Sequence, residues 1–591
     1  MGGRPMRGHP EMIMKVDDSR GFALIAVMLV VLVVAALSTG AAIIGSTHTL
    51  SNRYYDRQSE LDQAAVAGLE YARAVINADP SVYPDSGYLA LENGAAVLDA
   101  SGDPIPGLQR WLYVGPVGEI SGQYGVFGMV VSVVRDPAGG VAVRRSQVFQ
   151  ESFAKYAYFT DVEPSNISFG GGDQIFGPVH TNSDLKIYSS GATFHDITTT
   201  AESVVGEQYG TFKKGYMEDV APIDMPETAE LDKLEARAIE GGSAFSTSSP
   251  SGSGEARLRI EFIVIDLDND GSTTGENEGF FRVYQSNDAA WVSGDVPSGG
   301  MRYAEHCGHY HSDGTFVAAA DHPTNGPDSY VASLSNATKR CYLGGSDSIF
   351  GEFRPNNDGK GQWLQWGGTP DPLVSGRTDA QYLFPLSRTM NPDFKGVIFV
   401  DGKVVVSGEL RGRVTLASTE EIILGDDITY QSDPSLGTCV DMLGLFSGGD
   451  VVVADNTQNS AQRPAGGQNE FTYDDTKDEF FHAVVLALDV FTVENYASGS
   501  ERAERCEGAL WGRGCLYLTG GIIQRQRGAV GTISSPGGTG YVKRYSYDRC
   551  GATSPPPYFP TTGHFVRGQR SSVDPVGFEI ATYFDLLTAG N

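Results

Sequence analysis

Residues 21–44 form a long apolar run that constrains the chain more than any other feature. The run reads GFALIAVMLVVLVVAALSTGAAII, and the uncharged stretch continues to Thr47. An α-helix rises about 1.5 Å per residue, so roughly 20 apolar residues cross a bilayer core. No other run of this kind occurs in the 591 residues. The sequence therefore predicts one membrane-spanning helix near the N-terminus and a body outside the bilayer.

The helical pattern continues beyond the apolar run. Between residues 51 and 78 apolar side chains recur at helical spacing, with charged residues between them. The members of this stripe are Leu61, Ala65, Leu69, Ala72 and Ile76. No proline occurs between Phe22 and Ala78, and Pro80 then ends the pattern. We predict one continuous helix from Phe22 to about Ala78, with a length of about 85 Å.

The residues before the apolar run distinguish two kinds of N-terminal segment. A cleavable secretory signal has a shorter apolar region followed by a small-residue cleavage site, and neither is found here. Instead, Arg20-Gly21-Phe22 stands directly before the run, behind a short polar leader. This junction, together with the long helix, resembles type IV prepilins and pseudopilins. A single-pass anchor with a juxtamembrane helix remains the alternative.

The resemblance implies a maturation step and a set of partners. A prepilin peptidase would cut after Gly21 and methylate the new N-terminal residue, Phe22. The chain would then stand in the inner membrane as a single-pass protein with its body outside the cytoplasm. It would later join a filament at the cell surface through contacts between its N-terminal helix and other pilins or pseudopilins.

The fifth residue after the expected cleavage site departs from the family pattern. Most major pilins carry a glutamate there, which is thought to pair with the N-terminal amine of a neighbouring subunit. Here the position is Ala26. A buried amine without its carboxylate is costly, so a filament made wholly of this chain is not expected. The resemblance implies a minor, low-copy subunit near a filament tip, of the PilX type or like the tip pseudopilin of type II secretion.

The charge and composition exclude some partners and favour others. The formal net charge is −30, which argues against nucleic acid and anionic lipid. The 74 glycines and the short Val/Ile runs with Asn and Asp turns predict many short strands. We therefore expect a soluble, β-rich body whose ligands include cations, basic surfaces or a surface polysaccharide.

The fold class expected from these patterns is α+β. We assign residues 1–21 to the leader, 22–79 to the helix, 80–160 to a pilin-like β head and 161–591 to a large β-rich region. Short strands around 169–200 and 396–453 are typical of a parallel β-solenoid, with a β-sandwich as the alternative. Residues from about 205 to 390 would form an insertion between these two blocks.

One segment of the expected insertion carries a ligand motif. IDLDNDGSTTGENEG has the D-x-D-x-D-G order of a calcium loop, in which alternating carboxylates converge on one cation. Position twelve, a glutamate in EF-hands, is Asn277, and the flanking residues have strand character. The choice is therefore between a calcium-binding hairpin loop and an acidic turn. The candidate ligands are Asp266, Asp268, Asp270, Glu276 and Glu278.

The cysteines indicate an oxidising compartment. An even number in an exported body predicts disulfides. Sequence proximity suggests Cys506–Cys515 and Cys307–Cys341, which leaves Cys439–Cys550. The alternative is a zinc or copper site in the histidine-rich segment 306–311. The six cysteines are Cys307, Cys341, Cys439, Cys506, Cys515 and Cys550.

Catalytic motifs are weak, so we expect a protein that is not an enzyme. The sequence has no GxxxxGK[ST] or HExxH motif. The isolated histidines are most simply packed or surface residues, and these are His180, His195, His482 and His564. Three functions remain: a minor pilin that assists assembly and adhesion, a membrane-anchored carbohydrate-active enzyme, and a structural cell-envelope protein.

Overall fold

The structure is a computed structural model that describes most of the chain. The described residues are 19–589, without 80–81, 85, 118–122, 124, 247–255, 287–290, 294–308, 311–315, 318–339, 343–360, 455–477, 495, 498–504, 508, 511–513 and 534–537. A long N-terminal helix precedes a large β-rich region with several sheets. The fold class is therefore α+β, which confirms the expected class.

The elements have the following bounds. The helices are α1 (Ser19–Ala78), α2 (Ala229–Glu240), α3 (Cys550–Thr553) and α4 (Ile580–Ala589). The first strands are β1 (Leu89–Leu98), β2 (Pro104–Pro116), β3 (Phe127–Arg135), β4 (Val141–Ser152), β5 (Tyr158–Val162), β6 (Asp173–Phe176), β7 (Val179–Thr181), β8 (Leu185–Lys186), β9 (Ala192–Phe194), β10 (Thr198–Thr200), β11 (Val204–Val205), β12 (Gly210–Phe212), β13 (Tyr216–Met217), β14 (Ala244–Ser246), β15 (Leu258–Val264), β16 (Gly279–Ser286), β17 (Trp291–Ser293) and β18 (His309–Tyr310). The later strands are β19 (Phe316–Val317), β20 (Arg340–Tyr342), β21 (Gly361–Trp363), β22 (Phe384–Pro385), β23 (Val397–Asp401), β24 (Val404–Leu410), β25 (Arg413–Ser418), β26 (Ile422–Tyr430), β27 (Met442–Ser447), β28 (Val451–Val453), β29 (Asp478–Val493), β30 (Arg505–Cys506), β31 (Ala509–Leu510), β32 (Cys515–Arg527), β33 (Gly531–Ile533), β34 (Gly538–Gly540), β35 (Val542–Tyr547) and β36 (Thr561–Val573).

The N-terminal and C-terminal parts of the chain together form one small unit, which we call the head. Its sheet is antiparallel, with the order β1-β2-β3-β4-β36. The second half of α1 packs on one face of this sheet, and the C-terminal helix α4 packs on the other through Phe584. Apolar residues on both faces of β3 are buried because both faces are covered. The head is thus a three-layer unit.

The head sheet has a different membership from the one that the sequence suggested. Local patterns in the sequence place residues 80–160 in the head and residues 161–591 in the β-rich region. In the structure, β36 pairs with β4, with partners that include Phe149 and Val566. The larger β-rich part, residues 153–560, is therefore inserted between two neighbouring strands of the head. We call this inserted part the body.

The body is built on parallel strand pairing. Neighbouring strands such as β23, β25 and β27 lie parallel and in register. Strands β24, β26 and β28 are also parallel, with one register shift between β24 and β26. The strands belong to one 21-stranded sheet, which is not closed. One column of buried side chains runs through successive rungs: Ile398, Leu416, Leu445, Val485, Ile522, Tyr158 and Val179.

The first strands of the body stack on its last strands. Strand β32 pairs with β5 and with β35, and β35 pairs with β6, all in parallel. The block around 169–200 thus continues the ladder beyond residues 515–547 rather than lying directly on 396–453. Within the expected insertion, β14 and β15 pair with β23 and β24. These strands therefore extend the same sheet.

A second apolar layer covers the side of the ladder that faces α2. Outward-pointing residues of the rungs, including Phe399, Phe446 and Phe159, are buried there. Leu231 and Leu234 of α2 cover part of this surface, and Phe559 of the C-terminal connection covers another part. Because the two chain connections to the head lie in this layer, it is the side from which the head projects.

Candidate membrane and assembly interface

The first half of α1 presents an apolar surface that the rest of the described chain leaves uncovered. Phe22 is 77 % exposed and Leu37 is 68 % exposed. Within the described residues, α1 is the one helix long and apolar enough to cross a membrane. An apolar surface of this size requires lipid or other helices around it. The helix therefore combines a candidate membrane anchor with a packed segment.

Four hydroxyl groups in this exposed half, those of Thr39, Ser46, Thr47 and Thr49, donate to backbone carbonyls of the same helix. Thr39 Oγ1 donates to the carbonyl of Ala35 at 2.8 Å, and Thr47 Oγ1 donates to that of Ile43 at 2.8 Å. An unpaired hydroxyl in hydrocarbon is costly, whereas bonding to the preceding turn removes that cost. These four hydroxyl groups are therefore compatible with an apolar surrounding.

The predicted processing residues lie in the first turns of this helix. Helix α1 already includes Gly21, and the side chains of Phe22 and Ala26 point away from the described protein. No acidic residue occurs between Phe22 and Tyr55. The first half of α1 therefore has no carboxylate of its own that could neutralise an amine at Phe22.

The second half of α1 is attached to the head sheet by the predicted stripe. All five residues of the stripe are at most 2 % exposed, which confirms the expected buried face: Leu61, Ala65, Leu69, Ala72 and Ile76. Gly68 allows the closest approach. A Cβ atom there would lie 2.5 Å from Ser132 Oγ and 2.8 Å from Leu112 Cδ2. The small residues of the stripe bring helix and sheet into direct contact.

Ion pairs flank this apolar contact. Arg57 Nε donates to Asp136 Oδ2 at 2.9 Å, and Arg144 pairs with Asp62 at 2.6 Å. Asp136 lies in the turn between β3 and β4, where the N–H groups of Gly140 and Ala138 donate to Oδ1. Burial alone would raise the pKa of Asp136, but the Arg57 guanidinium and these two donors lower it. The carboxylate therefore holds the turn against the helix.

The end of α1 is attached to the C-terminal strand of the head. Asn77 Nδ2 donates to the carbonyl of Phe565 at 2.9 Å, and the N–H of Phe565 donates to Asn77 Oδ1 at 2.7 Å. Glu70 also pairs with Arg567 at 3.0 Å. Nothing local in the sequence relates residues 77 and 565, so these contacts were not predictable from it.

The acidic loop joins β15 to β16, and the structure brings part of the predicted ligand set together. Asp266, Asp268 and Glu278 each offer a carboxylate oxygen, and these oxygens lie within 4.8 Å of one another. Among the described residues, Asp270 and Glu276 are outside this group. Glu276 and Glu278 flank position twelve of the motif. Of these two glutamates, Glu278 is the one that lies beside the aspartates, and it is 4 % exposed.

Backbone contacts already organise this loop. The carboxylate of Glu278 accepts from the N–H groups of Leu267 and Gly275 at 2.9 and 2.6 Å. Asp266 accepts from the N–H of Gly271 at 2.9 Å, and Gly271 adopts a positive φ of 83°. Arg411 donates to the carbonyl of Gly275 at 3.1 Å. The loop can thus form either an acidic turn or a cation site.

Two disulfides are present among the described residues. Cys439 is joined to Cys550, and Cys506 is joined to Cys515. Sequence proximity suggested the pair Cys506–Cys515, and the pair Cys439–Cys550 is the one that the two proximity-based pairs left over. Cys307 lies outside the described residues, and so do the pair Cys307–Cys341 and the side chains of the histidine-rich segment 306–311. The longer disulfide attaches the segment that leads from the body back to β36.

A crevice of about 1300 Å³ lies where head and body meet, and it brings together two of the isolated histidines. His180 is buried and lies 2.8 Å from Thr199 Oγ1 and 2.9 Å from Asn182 Oδ1. Burial lowers the pKa of His180, so its imidazole is neutral at neutral pH. His564 is half exposed and lies 3.6 Å from Glu151. His180 is thus a packed residue, as the sequence analysis expected.

The other two histidines also have structural partners. The ring of His195 stacks on Phe176 with a centroid distance of 3.9 Å. His482 Nδ1 accepts from the backbone N–H of Tyr430 at 3.0 Å. Burial is the first cause that lowers the pKa of both imidazoles. These contacts identify both as packing residues of the ladder.

Comparisons with known proteins give little further information. No family model matches the chain, and no curated protein matches it. The solved structures include the crystal structure of the competence-associated pilin ComZ from Thermus thermophilus, which is 12 % identical in sequence. The comparison covers 87 % of this chain and 98 % of that one, with a TM-score of 0.26. At that score the likeness carries no argument, so the geometry of the chain itself must support any function.

Proposed function

We propose that the chain is a pilin-like subunit of a type IV filament or a related secretion system. The observation that carries this proposal is the division of α1. Its first half is apolar and uncovered, and its second half is packed on an antiparallel sheet. A helix of this form can stay in a membrane and later pack against the helices of neighbouring subunits without changing its attachment to the head. The Gly21-Phe22 junction supports the same proposal.

We propose further that the subunit is minor, low-copy and near the filament tip. Ala26 provides no carboxylate for an N-terminal amine, so a continuous core of identical helices would bury unpaired charge. The body also occupies residues 153–560, and a unit of this size is difficult to accommodate at every position of a helical filament. A PilX-type role in assembly, with adhesion by the body, is consistent with both arguments. Before assembly, the chain would stand in the inner membrane with head and body outside the cytoplasm.

We infer that the body is a β-solenoid. Support comes from the in-register parallel pairing of consecutive strand pairs and from the column of buried side chains that crosses the rungs. β-Sandwiches are built mainly from antiparallel pairs, so the parallel register argues against that alternative. The role proposed for this body is to present a surface, and we assign it no enzymatic activity. Release of reducing ends from surface polysaccharide by the purified chain would contradict that assignment.

We also propose that the acidic loop binds calcium. Asp266, Asp268 and Glu278 supply three carboxylate oxygens, and oxygen ligands of this type suit a hard cation. Calorimetric titration of the full chain with CaCl₂ should detect binding that Asp266→Asn abolishes and that Glu276→Gln leaves unchanged. Equal binding by all three proteins, or none by the unmodified chain, would contradict a site at this loop.

The experiment that tests the main proposal is identification of the mature N-terminus. Mass spectrometry of protein from its native membrane, or from sheared filaments, should find a chain that begins with N-methylated Phe22. The variant Gly21→Val should retain its leader and be absent from filaments, whereas Gly45→Ala should behave as the unmodified chain. A retained leader in the unmodified chain, or a cut beyond residue 40, would contradict the pilin proposal.

A second measurement tests the argument about Ala26. Ala26→Glu restores the carboxylate that major pilins carry, so we expect the variant to be incorporated into filaments at higher copy. The ratio of this subunit to the major pilin in sheared filaments measures the effect. An unchanged ratio would show that the body, and not the missing carboxylate, limits the copy number.

A further inference from the structure

The first and last strands of the body meet at a buried pair of opposite charges. Strand β6 pairs in parallel with β35. Next to this pairing, Lys543 Nζ lies 2.9 Å from Asp173 Oδ2. The two residues are 370 positions apart in the chain. The contact therefore joins the start of the body to its end.

Most of the surface of this pair is buried. The side chain of Asp173 is 3 % exposed, and that of Lys543 is 15 % exposed. Tyr545 and Phe169 are buried in the same core cluster. Asp173 is the hydrogen-bond acceptor that the described residues offer to Lys543 Nζ. A charged ammonium with so few acceptors is strongly destabilised in such surroundings.

A second ion pair changes the electrostatics of the first. Arg527 pairs with Glu163 at 2.9 Å, and both side chains are at most 1 % exposed. The Arg527 guanidinium lies 3.8 Å from the centre of the Phe169 ring. Burial is the largest influence on the pKa of Lys543 and lowers it; the charge of Asp173 raises it, the charge of Arg527 lowers it further, Glu163 raises it slightly, and the net direction is downward. The neutral amine, which is the nucleophilic form of lysine, is therefore favoured more than at a surface.

The carboxyl group of Asp173 is held by backbone donors. The N–H of Gly170 donates to Oδ2 at 3.1 Å, and the N–H of Lys543 donates to Oδ1 at 3.4 Å. Fixed N–H donors on both oxygens can stabilise the negative charge that develops when a carboxyl carbon is attacked. The nucleophile, the carboxyl group and the oxyanion donors are thus assembled in one place.

We propose that Lys543 and Asp173 form an intramolecular amide bond after folding. In the first step the ammonium gives one proton to the carboxylate, which yields a neutral amine and a neutral carboxylic acid. Nζ then attacks Cγ, the C–OH bond breaks, and the hydroxyl leaves with a second amine proton as water. One ammonium and one carboxylate become one amide and one water, so atoms and charge balance without an oxidant or another reactant.

Proximity makes this condensation favourable although amides hydrolyse in dilute solution. Well-oriented intramolecular groups reach effective molarities of about 10⁵–10⁸ M, far above the concentration of water. The scarcity of water around the pair also disfavours the reverse reaction. The partial exposure of Lys543 leaves a route by which the released water can depart.

Mass spectrometry of the full chain tests this proposal. Once the mass of the N-terminus actually found and of the disulfides is accounted for, the unmodified protein should be lighter by one water, about 18 Da. A reduced tryptic digest should contain a branched peptide that joins the segment with Asp173 to the segment with Lys543. Recovery of both segments only as linear peptides would overturn the proposal.

Two variants separate the amide bond from a purely ionic contact. Lys543→Arg keeps the positive charge and the pairing with Asp173 but cannot condense, so it should fold and show no mass loss. In Asp173→Asn the leaving group is the amide nitrogen, which takes both protons lost by the Lys543 ammonium and departs as ammonium, so condensation should lower the neutral mass by ammonia, about 17 Da. Mass loss that persists in Lys543→Arg would show that the modification lies elsewhere and would overturn the assignment.

Discussion

The bond between Asn77 and the C-terminal strand provides the sharpest test of how the head is assembled. Asn77→Ala removes the donor to the carbonyl of Phe565 and the acceptor of its N–H. Phe565 is 0 % exposed. A buried backbone group without a partner costs about 1–3 kcal/mol, so two groups cost about 2–6 kcal/mol. Because Asn77 itself is half-buried, water can replace part of the loss, and we expect about 2–3 kcal/mol.

Hydrogen exchange of the full chain in detergent measures this effect at the affected residue. A loss of about 2–3 kcal/mol corresponds to roughly 30- to 140-fold faster exchange of the Phe565 N–H. The matched control is Asn52→Ala, because Asn52 is exposed on the same helix. We expect the control to leave exchange in β36 unchanged. A change below threefold in Asn77→Ala would refute the reasoning and would mean that the other contacts of β36, with β4 and with the rest of α1, hold it without Asn77.

Three further predictions concern the same attachment and the body. Gly68→Leu should detach α1 from the head sheet, since even a Cβ atom would lie 2.5 Å from a buried hydroxyl, and faster exchange in the head strands would report it. Because the pKa of Asp136 is lowered in the folded chain, its pairing with Arg57 stabilises the head above about pH 4, and this stabilisation is lost as the pH falls further. The unfolding temperatures of Asp136→Asn and of the unmodified chain should therefore converge in acid. Replacing Cys439 and Cys550 together by serine should destabilise the body by about 2 kcal/mol more than replacing Cys506 and Cys515, because the two cysteines are 111 residues apart rather than 9. Equal urea midpoints for the two double variants would contradict this.

Local patterns predicted the helix and its buried face because both depend on spacing along one segment. Leu61 and Ile76 lie on the predicted face, and they are buried by residues that the spacing alone does not identify. The acidic loop was also predictable as a turn, since Asp, Asn and Gly favour turns directly. The sequence could not show which glutamate reaches the other carboxylates, because this depends on where β16 begins and on the contact of the loop with Arg411.

The remaining features depend on contacts between distant segments. No periodicity relates β36 to β4, so the insertion of the body in the head could not be predicted from local patterns. The stacking of β6 on β35 is equally non-local, and the pair of Asp173 and Lys543 became visible only once those strands were adjacent. Charged residues of this kind look like ordinary surface groups in a sequence, because their burial is decided by a partner hundreds of residues away.

The insertion of the body between β4 and β36 determines how the subunit would carry a mechanical load. A ligand held by the body would pull on two polypeptide links at once, at Ser152 and at Thr561, which are paired neighbours in the head sheet. The tension would be shared between two adjacent strands and would load both in the same direction, so it would not peel one from the other. The weakest step would instead be the sliding of the whole sheet from α1, and Asn77 and Gly68 stand at that boundary. A single break in either link would leave the body tethered by the other.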